Sequence, residues 1–436
     1  MKKYLTVLLI ISLIIPTFTL LAQTKSNRPN LQGYKILFEE NFKKQGKPEA
    51  KDWLFRNNKK MGGVSFPANV IQGKGSDGEN HLLIKFTYDA TRRAEEQFLG
   101  GGLVSTHNFG YGYYETCVKL YGGKKELSGL HQSFWSMGLT GTNEAEGANV
   151  RDSLVNADII PAENRVLEID GFELDSKHNT LGQNYHIYSP THKSMSPKPN
   201  KIDKDLSRWI TIGYEWLPDR INYYCDGEYL STKMLDGIWN VYAPQNFWLT
   251  ALPVNLASWG GLSTPLPDVA MQIKYFKYYA KKLPRINRIG NSDFEYGVKG
   301  NLYPIAWIVA RTNGNDKSAA RVVTDSTAAF NGKRFLLVQN DKAYKTTVKQ
   351  ILEYIPNGNY TFSAYIKSSG GQKRSAFVIK TSGKEYTTFI NQSEKWEKIS
   401  IEKVKVKNNH AVIEIQSEAI PNQWLKVDKV EFSEMK

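Results

Sequence analysis

The sequence predicts an all-β protein, an antiparallel β-sandwich followed by a second, smaller β-sandwich. Long amphipathic helical patterns are scarce along its 436 residues. Instead there are short runs rich in Tyr, Phe, Trp, Val and Ile, separated by Gly, Asn, Asp and Pro, which is typical of antiparallel strands joined by turns. The clearest runs in the first part are 80–88, 110–120, 184–188, 209–216 and 221–225. Asp226-Gly227 predicts a tight hairpin turn.

A second series of strand-like runs follows a stretch that has the composition of a linker. Residues 281–291 combine charge, proline and glycine. Beyond them, further runs lie at 335–339, 360–366, 376–381 and 412–416. We therefore expect a catalytic-size domain at 31–283, a linker at 284–290 and a second β-sandwich at 291–436.

The N-terminus has the pattern of an export signal. Lys2 and Lys3 precede an apolar run, 4–21, that is interrupted by Pro16 and followed by Ala22. This pattern predicts a signal peptide over 1–22 rather than a membrane anchor, so we expect a secreted, periplasmic or extracellular protein. We expect no integral membrane segment after signal removal, and a monomer.

Charge and cysteine content narrow the function classes. The net charge of +14 is concentrated in 284–436, which carry 24 Lys and Arg against 15 Asp and Glu. In an exported protein this favours an anionic polysaccharide or cell surface over nucleic acid, or it marks a solvated face. Cys117 and Cys225 either pair or remain buried thiols. No Cys/His cluster has zinc-ligand spacing, and no nucleotide loop or redox motif is present.

Three carboxylates lie within six residues of an apolar, strand-like segment, Leu-Glu-Ile-Asp-Gly-Phe-Glu at 167–173. Side chains alternate along a strand, so Glu168 and Asp170 share one face while Glu173 would point to the other. A one-residue bulge at Gly171 would correct this, because glycine tolerates the required backbone angles and bulges often re-aim side chains.

Convergent carboxylates are what hydrolysis of a glycosidic bond needs. One acts at the anomeric carbon, while another donates a proton to the departing oxygen. Glu168 and Glu173 fit these two roles, and Asp170 between them could share a proton with Glu168. A charged edge strand facing water would explain the same segment. The motifs on either side of it must therefore distinguish a catalytic strand from a charged surface strand.

The segments on either side of the three carboxylates resemble glycoside hydrolase family 16, the jelly-roll endo-glycanases that include laminarinases, lichenases, agarases and carrageenases. This resemblance implies a concanavalin-like β-jelly-roll sandwich for the first domain. The resemblance covers nearly all of 34–282, and the segment 168–173 is similar to the family's bulged motif Glu-x-Asp-x-x-Glu. The other supporting motifs, in order, are Ile-Leu-Phe-Glu-Glu-Asn-Phe at 36–42, Gly-Leu-Val-Ser at 102–105, Gly-Tyr-Gly-Tyr-Tyr-Glu at 110–115, Gly-Leu-His-Gln-Ser-Phe-Trp at 129–135 and Tyr-Glu-Trp at 214–216.

The resemblance implies a retaining double displacement that requires no cofactor. Glu168 would be the nucleophile, Glu173 the general acid/base and Asp170 the assisting carboxylate. Retention requires the two working carboxyls to be roughly 5 Å apart. The polar stretch 139–164 is expected to form a rim over the cleft.

The resemblance also implies substrate-binding residues, namely Trp135, His186, Trp259 and His131. Trp135 would stack on a sugar, although either it or Phe134 must point into the core. His186 could equally be a structural histidine. Trp239 and Trp248 compete with Trp259 for the distal subsites.

Two positions depart from the family pattern. Many members hold a calcium ion on the convex face through an aspartate where this chain has Lys274, so we expect no ion there. Glucan-active members commonly have Trp-Pro where this chain has His131-Gln132, which weakens a laminarinase assignment.

The second domain resembles the jelly-roll carbohydrate-binding modules that accompany such enzymes. The resemblance rests on Asn-Ser-Asp-Phe-Glu at 291–295, Trp307, Gly-Asn-Tyr-Thr-Phe at 358–362 and Val-Asp-Lys-Val at 427–430. It implies a structural calcium ion with Glu295 and Asp428 as candidate ligands, which could also be ordinary surface carboxylates. Trp307, Trp396 and Trp424 either stack on sugar or fill the core.

These observations predict a secreted, endo-acting retaining β-glycanase whose partner is a polysaccharide substrate, with β-1,3 or mixed-linkage glucan favoured. The first alternative keeps the chemistry but takes a galactan such as agar, porphyran or carrageenan. The second is a non-catalytic glycan-binding surface protein, which would not need two working glutamates.

Overall fold

The computed structural model describes residues 29–57, 59–60, 63–122, 125–139, 165–178, 180–189, 191–195, 198–201, 205–254, 261–262, 266–297, 302–310 and 319–436. The expected signal peptide, Trp259 and almost all of the expected rim at 139–164 lie outside these ranges.

The described residues form β-strands and short 3-10 turns, with no α-helix among them. The turns are Pro67–Asn69, Ala94–Glu96, Lys125–Leu127 and Gly237–Trp239. The strands of the first part are Tyr34–Glu40 (β1), Trp53–Phe55 (β2), Lys59–Lys60 (β3), Gly63–Ser65 (β4), Val70–Lys74 (β5), Asn80–Lys85 (β6), Thr87–Tyr88 (β7), Phe98–Ser105 (β8), Gly112–Lys119 (β9), Leu130–Leu139 (β10), Arg165–Asp175 (β11), Thr180–Ile187 (β12), Lys193–Ser194 (β13), Lys198–Lys201 (β14), Ile210–Leu217 (β15), Arg220–Cys225 (β16), Glu228–Met234 (β17), Asn246–Pro253 (β18) and Ala270–Lys281 (β19). Each run predicted in this part overlaps a strand, so the all-β prediction is confirmed.

Two sheets pack face to face in the first part, and their strands pair antiparallel except for the parallel pair β4–β8. Sheet 1 has the order β17-β16-β15-β9-β19-β6-β5, with β1 on β19. Sheet 2 has the order β13-β12-β11-β10-β18-β8-β4-β3, with β14 on β12 and with β2 and β7 on β8. Their inward faces are rich in aromatic rings. For example, Phe247 of sheet 2 stacks on Phe276 of sheet 1 with centroids 3.9 Å apart.

The second part of the chain builds a smaller sandwich. Its strands are Ile308–Ala310 (β20), Ala320–Thr324 (β21), Arg334–Gln339 (β22), Tyr344–Glu353 (β23), Gly358–Ser368 (β24), Arg374–Thr381 (β25), Lys384–Phe389 (β26), Ser393–Val406 (β27), His410–Ala419 (β28) and Trp424–Glu434 (β29). Sheet 3 has the order β20-β23-β28-β25-β26, and sheet 4 has the order β21-β22-β29-β24-β27. Phe362 and Phe377 meet between them, and Trp307 is a fully buried core residue rather than a sugar-stacking one.

The expected linker, 284–290, lies along the second sandwich. Arg285 and Arg288 donate their backbone N–H groups to the carbonyls of Glu434 and Phe432 on β29. The side chain of Gln350 bonds both backbone groups of Gly290. These bonds hold the connecting segment against one sandwich, so it has little of the freedom that its composition suggests.

Sheet 1 contains the predicted Asp226-Gly227 turn and both cysteines. Asp226 and Gly227 both have positive φ, 50° and 77°, as the expected hairpin turn between β16 and β17 requires. Cys117 and Cys225 are buried thiols rather than a disulfide. They pair in register with Thr211 and Ile212, adjacent residues whose side chains point to opposite faces, so the two sulfurs lie on opposite sides of the sheet.

Strand β11 carries the expected bulge at Gly171. Against β10, Asp170 pairs with Trp135 and Phe172 pairs with Phe134. An advance of two residues along β11 therefore corresponds to an advance of one residue along β10. The register against β12 shifts between Asp170 and Glu173 as well. A Cβ atom at Gly171 would lie 2.6 Å from Cδ1 of Phe134, which leaves no room for a side chain.

Replacing Gly171 with Ala is expected to lower the free energy of unfolding by about 1–3 kcal/mol, the usual cost of overpacking a core. The added methyl would also meet Cδ1 of Tyr214 at 2.8 Å and the carbonyl oxygen of Phe134 at 2.9 Å. Urea unfolding measures the change. Gly73→Ala is the matched control, because its nearest neighbour would be 3.8 Å away. Equal stability of the two variants would contradict the tight bulge.

Candidate active site

Glu168, Asp170 and Glu173 share the outer face of sheet 2. Their partners on β10 are Met137, Trp135 and Ser133, which are alternate residues and therefore lie on one side of the sheet. The residues between them on β11, including Ile169 and Phe172, belong to the core. The bulge thus brings the third carboxylate onto the face of the first two.

The Glu168 carboxylate lies close to a second carboxylate and to a phenol. Ligand atoms of Glu168, Asp170 and His186 all lie within 4.8 Å of one another. The hydroxyl of Tyr188 donates to Oε2 of Glu168. Burial, with the adjacent Glu168 charge as a second cause, holds the pKa of Tyr188 well above its usual range. Tyr188 therefore stays protonated and remains a donor to this carboxylate.

Asp170 is the most deeply buried of the three acids, at 2% exposure. Nε2 of His186 lies 3.2 Å from its Oδ2. His186 in turn contacts Nδ2 of Asn184 at 2.9 Å and, through Nδ1, Nε2 of His192 at 2.9 Å. Burial, followed by the His186 charge, lowers the pKa of His192. A buried carboxylate is thereby placed at the end of a chain of polar side chains.

Glu173 lies at the more open end of the group. Its side chain is 38% exposed, and its Oε1 lies 3.5 Å from Nε2 of His131. His131 and Gln132 occupy opposite faces of β10. Gln132 is fully buried and donates to the carbonyl of Tyr121, so only His131 belongs to the site.

Trp135 lies on the carboxylate face, and Phe134 lies in the core. The ring of Trp135 stacks on that of Trp248 with centroids 4.7 Å apart and an interplanar angle of 17°. Its indole N–H donates to Thr250, and the Arg56 guanidinium lies 5.7 Å from the ring centroid. The side chain is only 6% exposed, so its contact with sugar stays a prediction that rests on a small open edge.

The other predicted aromatic residues fall outside this group. Trp259 is outside the described residues. Trp248 is fully buried beside Trp135, its register partner on β18, and Trp239 packs at the edge of the first core beside Tyr185. On the opposite sheet, Lys274 forms an ion pair with Asp77 at 3.3 Å and lies over the ring of Trp209. A lysine ammonium therefore sits where the family resemblance would place an ion-binding carboxylate.

Glu295 and Asp428, the candidate calcium ligands, both accept backbone N–H groups from the segment 330–334. Oε1 of Glu295 accepts backbone N–H groups from Lys333 and Arg334. Oδ2 of Asp428 accepts those of Phe330 and Asn331 at 3.0 and 3.1 Å. Oε1 of Glu295 and Oδ2 of Asp428 thus hold one loop through its N–H groups, and calcium binding by these carboxylates stays a prediction. Within the described ranges, the only cluster with ligand spacing is Glu168, Asp170 and His186, which could hold a metal ion.

Several site residues were missed by the sequence analysis. Asn184, His186 and Tyr188 share a face by simple alternation, so pairing β12 with β11 would have revealed Tyr188. His192 returns through the β12–β13 turn, which no local pattern indicates. The hydroxyl of Tyr296, in the second part of the chain, accepts N–H groups of Tyr188 and Ser189 at 2.8 Å each and donates to the carbonyl of Val166. Only the tertiary structure brings it here.

Comparisons with known proteins find similarity in solved structures only. No protein-family model matches the chain, and no curated protein matches it. Two of the similar structures belong to family GH16, and a third is TmCBM61. SCLam, a non-specific endo-β-1,3(4)-glucanase from family GH16, is 21% identical over 57% of this chain and 92% of its own, with a TM-score of 0.43. A Bacteroides ovatus GH16 protein from a mixed-linkage glucan locus, in complex with a G4G4G3G product, is 17% identical over 56% of this chain and 100% of its own, with a TM-score of 0.43.

The third structure is the module TmCBM61 in complex with β-1,4-galactotriose. It is 22% identical over 34% of this chain and 99% of its own, with a TM-score of 0.30. These TM-scores lie below 0.5, so the chemistry proposed for this chain rests on its own residues. In addition, none of the helices in the described ranges is long and apolar enough to cross a bilayer.

Asp428 is expected to make stability depend on pH. Burial raises its pKa from 3.8 to about 6, against the opposing effect of its backbone N–H bonds. A carboxyl whose folded pKa is raised binds its proton more readily in the folded state, so this stabilisation is present below about pH 4 and is lost as pH rises through about 6. Asp428→Asn cannot ionise. The stability of the wild type relative to this variant should therefore fall from pH 4 to pH 7.

Urea unfolding at unit pH steps measures this difference. Asp341→Asn, at an exposed turn residue, is the control and should show a constant offset from the wild type. A wild type that gains on Asp428→Asn as pH rises would contradict the raised pKa.

Proposed function

We propose that the chain is an exported, endo-acting retaining β-glycanase that hydrolyses β-linked polysaccharide. The observation that carries the proposal is the bulge in β11, which places Glu168, Asp170 and Glu173 on one outer face of sheet 2. The export signal pattern at 1–22 supports secretion. We further propose that 31–283 form the catalytic domain and 291–436 the accessory domain.

Glu168 is the nucleophile. Its carboxylate attacks the anomeric carbon of the bound sugar as the bond to the leaving oxygen breaks, and a glycosyl ester forms. The Tyr188 hydroxyl fixes Oε2 of this carboxylate. A single oriented donor of this kind holds the other oxygen available for attack.

Glu173 is the general acid and then the general base. In the first step its proton goes to the departing oxygen. In the second step the ionised carboxylate takes a proton from water, whose oxygen attacks the anomeric carbon and releases Glu168. Its 38% exposure suits a group that must meet both the leaving glycan and water, and His131 lies beside it.

Asp170 assists by its charge and position. Ligand oxygens of Asp170 and Glu168 lie within 4.8 Å, where two ionised carboxylates repel each other. A proton shared with Asp170 lets Glu168 change from an ester to a free carboxylate without bringing two full negative charges together. His186 at 3.2 Å can supply or accept hydrogen bonding as this proton moves.

For the substrate, we propose a β-1,3 or mixed-linkage glucan, on the strength of the ordered sequence motifs and a catalytic region with little net charge. The alternative is a galactan. It is favoured by His131, which stands beside Glu173 where glucan-active members commonly have tryptophan.

Glu168→Gln and Glu173→Gln are expected to lower turnover by about 10³-fold or more, because each removes one half of the proposed displacement. Initial rates of reducing-sugar release measure the loss. Exposed Glu79→Gln is the matched control and should keep wild-type turnover. An activated aryl glycoside separates the roles, since it needs no proton on leaving: it should restore the first step in Glu173→Gln but not in Glu168→Gln. Wild-type turnover in either variant would remove the assignment.

A substrate panel of laminarin, lichenan, agarose and carrageenan separates the two substrate classes. Laminarin or lichenan should be cleaved at internal bonds, with a rapid fall in viscosity relative to reducing-end release. Proton NMR of the first products should show the β-anomer, as retention requires. Cleavage of a galactan alone would establish the alternative, and an initial α-anomer would contradict the retaining mechanism.

A further inference from the structure

The outer face of sheet 4, in the second sandwich, combines aromatic rings with lysines. Along β24, β27 and β29, residues that alternate with the core positions point outward, and they define what we call the lysine–aromatic face: Tyr365, Lys367, Trp396, Lys398, Trp424 and Lys426. Phe330, which is 37% exposed, stacks on Tyr365 with centroids 3.6 Å apart. The face is neither an apolar core surface nor an ordinary charged surface.

Two lysines stand directly opposite each other at its centre. Lys367 of β24 pairs in register with Lys426 of β29. Like charges on opposite residues of neighbouring antiparallel strands destabilise a sheet, because their Cβ atoms are only about 5 Å apart. Within the described part of the chain, neither ammonium, nor that of Lys398, forms an ion pair with a carboxylate.

The nearby acids do not neutralise this pair. Asp428 is fully buried on the same strand, and its oxygens accept backbone N–H groups. Hydrogen bonds from Thr327, and last among the causes the charge of Lys426, lower the pKa of Asp325, which lies on the loop between β21 and β22 and forms no ion pair with Lys426. The positive charge of the face is therefore available to a ligand.

The opposite side of the same sandwich provides a contrast. On sheet 3, Lys380 pairs with Glu414 at 2.8 Å, and Lys373 and Lys345 pair with Glu418 at 2.5 and 3.8 Å. These sheet 3 lysines thus have carboxylate partners, whereas Lys367, Lys398 and Lys426 form no ion pair among the described residues.

The lysine pair is flanked by two tryptophans. Nζ of Lys367 lies 5.5 Å from the centroid of Trp396, and Nζ of Lys426 lies 5.3 Å from that of Trp424. Both tryptophans are partly buried and partly exposed. Flat apolar rings match the C–H faces of sugars, and ammonium groups beside them match anionic substituents at the sugar edge.

We propose that the lysine–aromatic face binds an anionic polysaccharide, with a sulfate or carboxylate group of the glycan between Lys367 and Lys426 and sugar rings against Trp396 and Trp424. The bound anion relieves the repulsion of the lysine pair. This binding does not depend on hydrolysis, so it stands or falls separately from the glycanase proposed above. It would hold the protein on an anionic matrix while the cleft acts on its own substrate.

The test uses the full-length protein and three probes: sulfated laminarin, unmodified laminarin and polygalacturonate. Calorimetry and the thermal unfolding midpoint measure binding, because a ligand specific for the folded state raises that midpoint. Sulfated laminarin or polygalacturonate should bind, with an affinity that falls as salt rises, and laminarin should not bind this face. The stronger of the two anionic probes identifies sulfate or carboxylate as the preferred group.

The matched variants are Lys367→Gln/Lys426→Gln and Lys345→Gln/Lys380→Gln, which change the net charge equally. The first should lose at least about tenfold in affinity for the anionic probe, and the second should stay within about twofold. Without probe, the first should be at least as stable as the wild type, because repulsion is removed, whereas the second loses its ion pairs.

Three results would overturn the proposal. They are equal losses of affinity in both double variants, an equal effect of Lys367→Gln/Lys426→Gln on the binding of sulfated and unmodified laminarin, and wild-type affinity in Lys367→Gln/Lys426→Gln. If the last variant did not fold, insensitivity of wild-type binding to salt would decide against the proposal.

Discussion

The structure depends on one local constraint, the extra residue that Gly171 adds to β11. A regular strand would send Glu173 into the core, where an ionised carboxylate without a partner costs several kcal/mol. The bulge sends Gly171 and Phe172 inward together, and the space beside Phe134 and Tyr214 admits the first only as glycine. The glycine that allows the core to pack around the bulge therefore also places the three carboxylates on one face of the sheet.

Around the bulge, the site is built from neighbouring strands rather than from loops. Sheet register sets Asp170 opposite Asn184 and Glu168 opposite His186, so hydrogen bonding along the ladder also fixes the polar chain. Side chains held on strands keep their spacing better than side chains on mobile loops, which is what a reaction with two positioned carboxyls needs. The segment before β20 contributes too, since the Tyr296 hydroxyl joins the backbone of β11 to that beyond β12.

Further contacts join the two parts of the chain. The segment 284–290 is bonded along β29, and Tyr354 of the second sandwich stacks on Phe109 of the first with centroids 5.0 Å apart. Glu353 also accepts the backbone N–H of Asn108 at 2.8 Å. A second sandwich attached at several points presents its outer face in a fixed direction relative to the outer face of sheet 2, unlike a unit on a flexible tether.

The sequence by itself determined the all-β class, the Asp226-Gly227 turn and the bulge, because alternation and glycine chemistry act over a few residues. It also placed the three carboxylates on one face. Only the tertiary structure decided the rest. Cys117 and Cys225 cannot pair because register puts them on opposite faces, Trp307 is core, and Tyr188 reaches Glu168 from another strand. Such facts depend on which strands are neighbours, and long-range pairing is set by burial of the whole sandwich, which no local window contains.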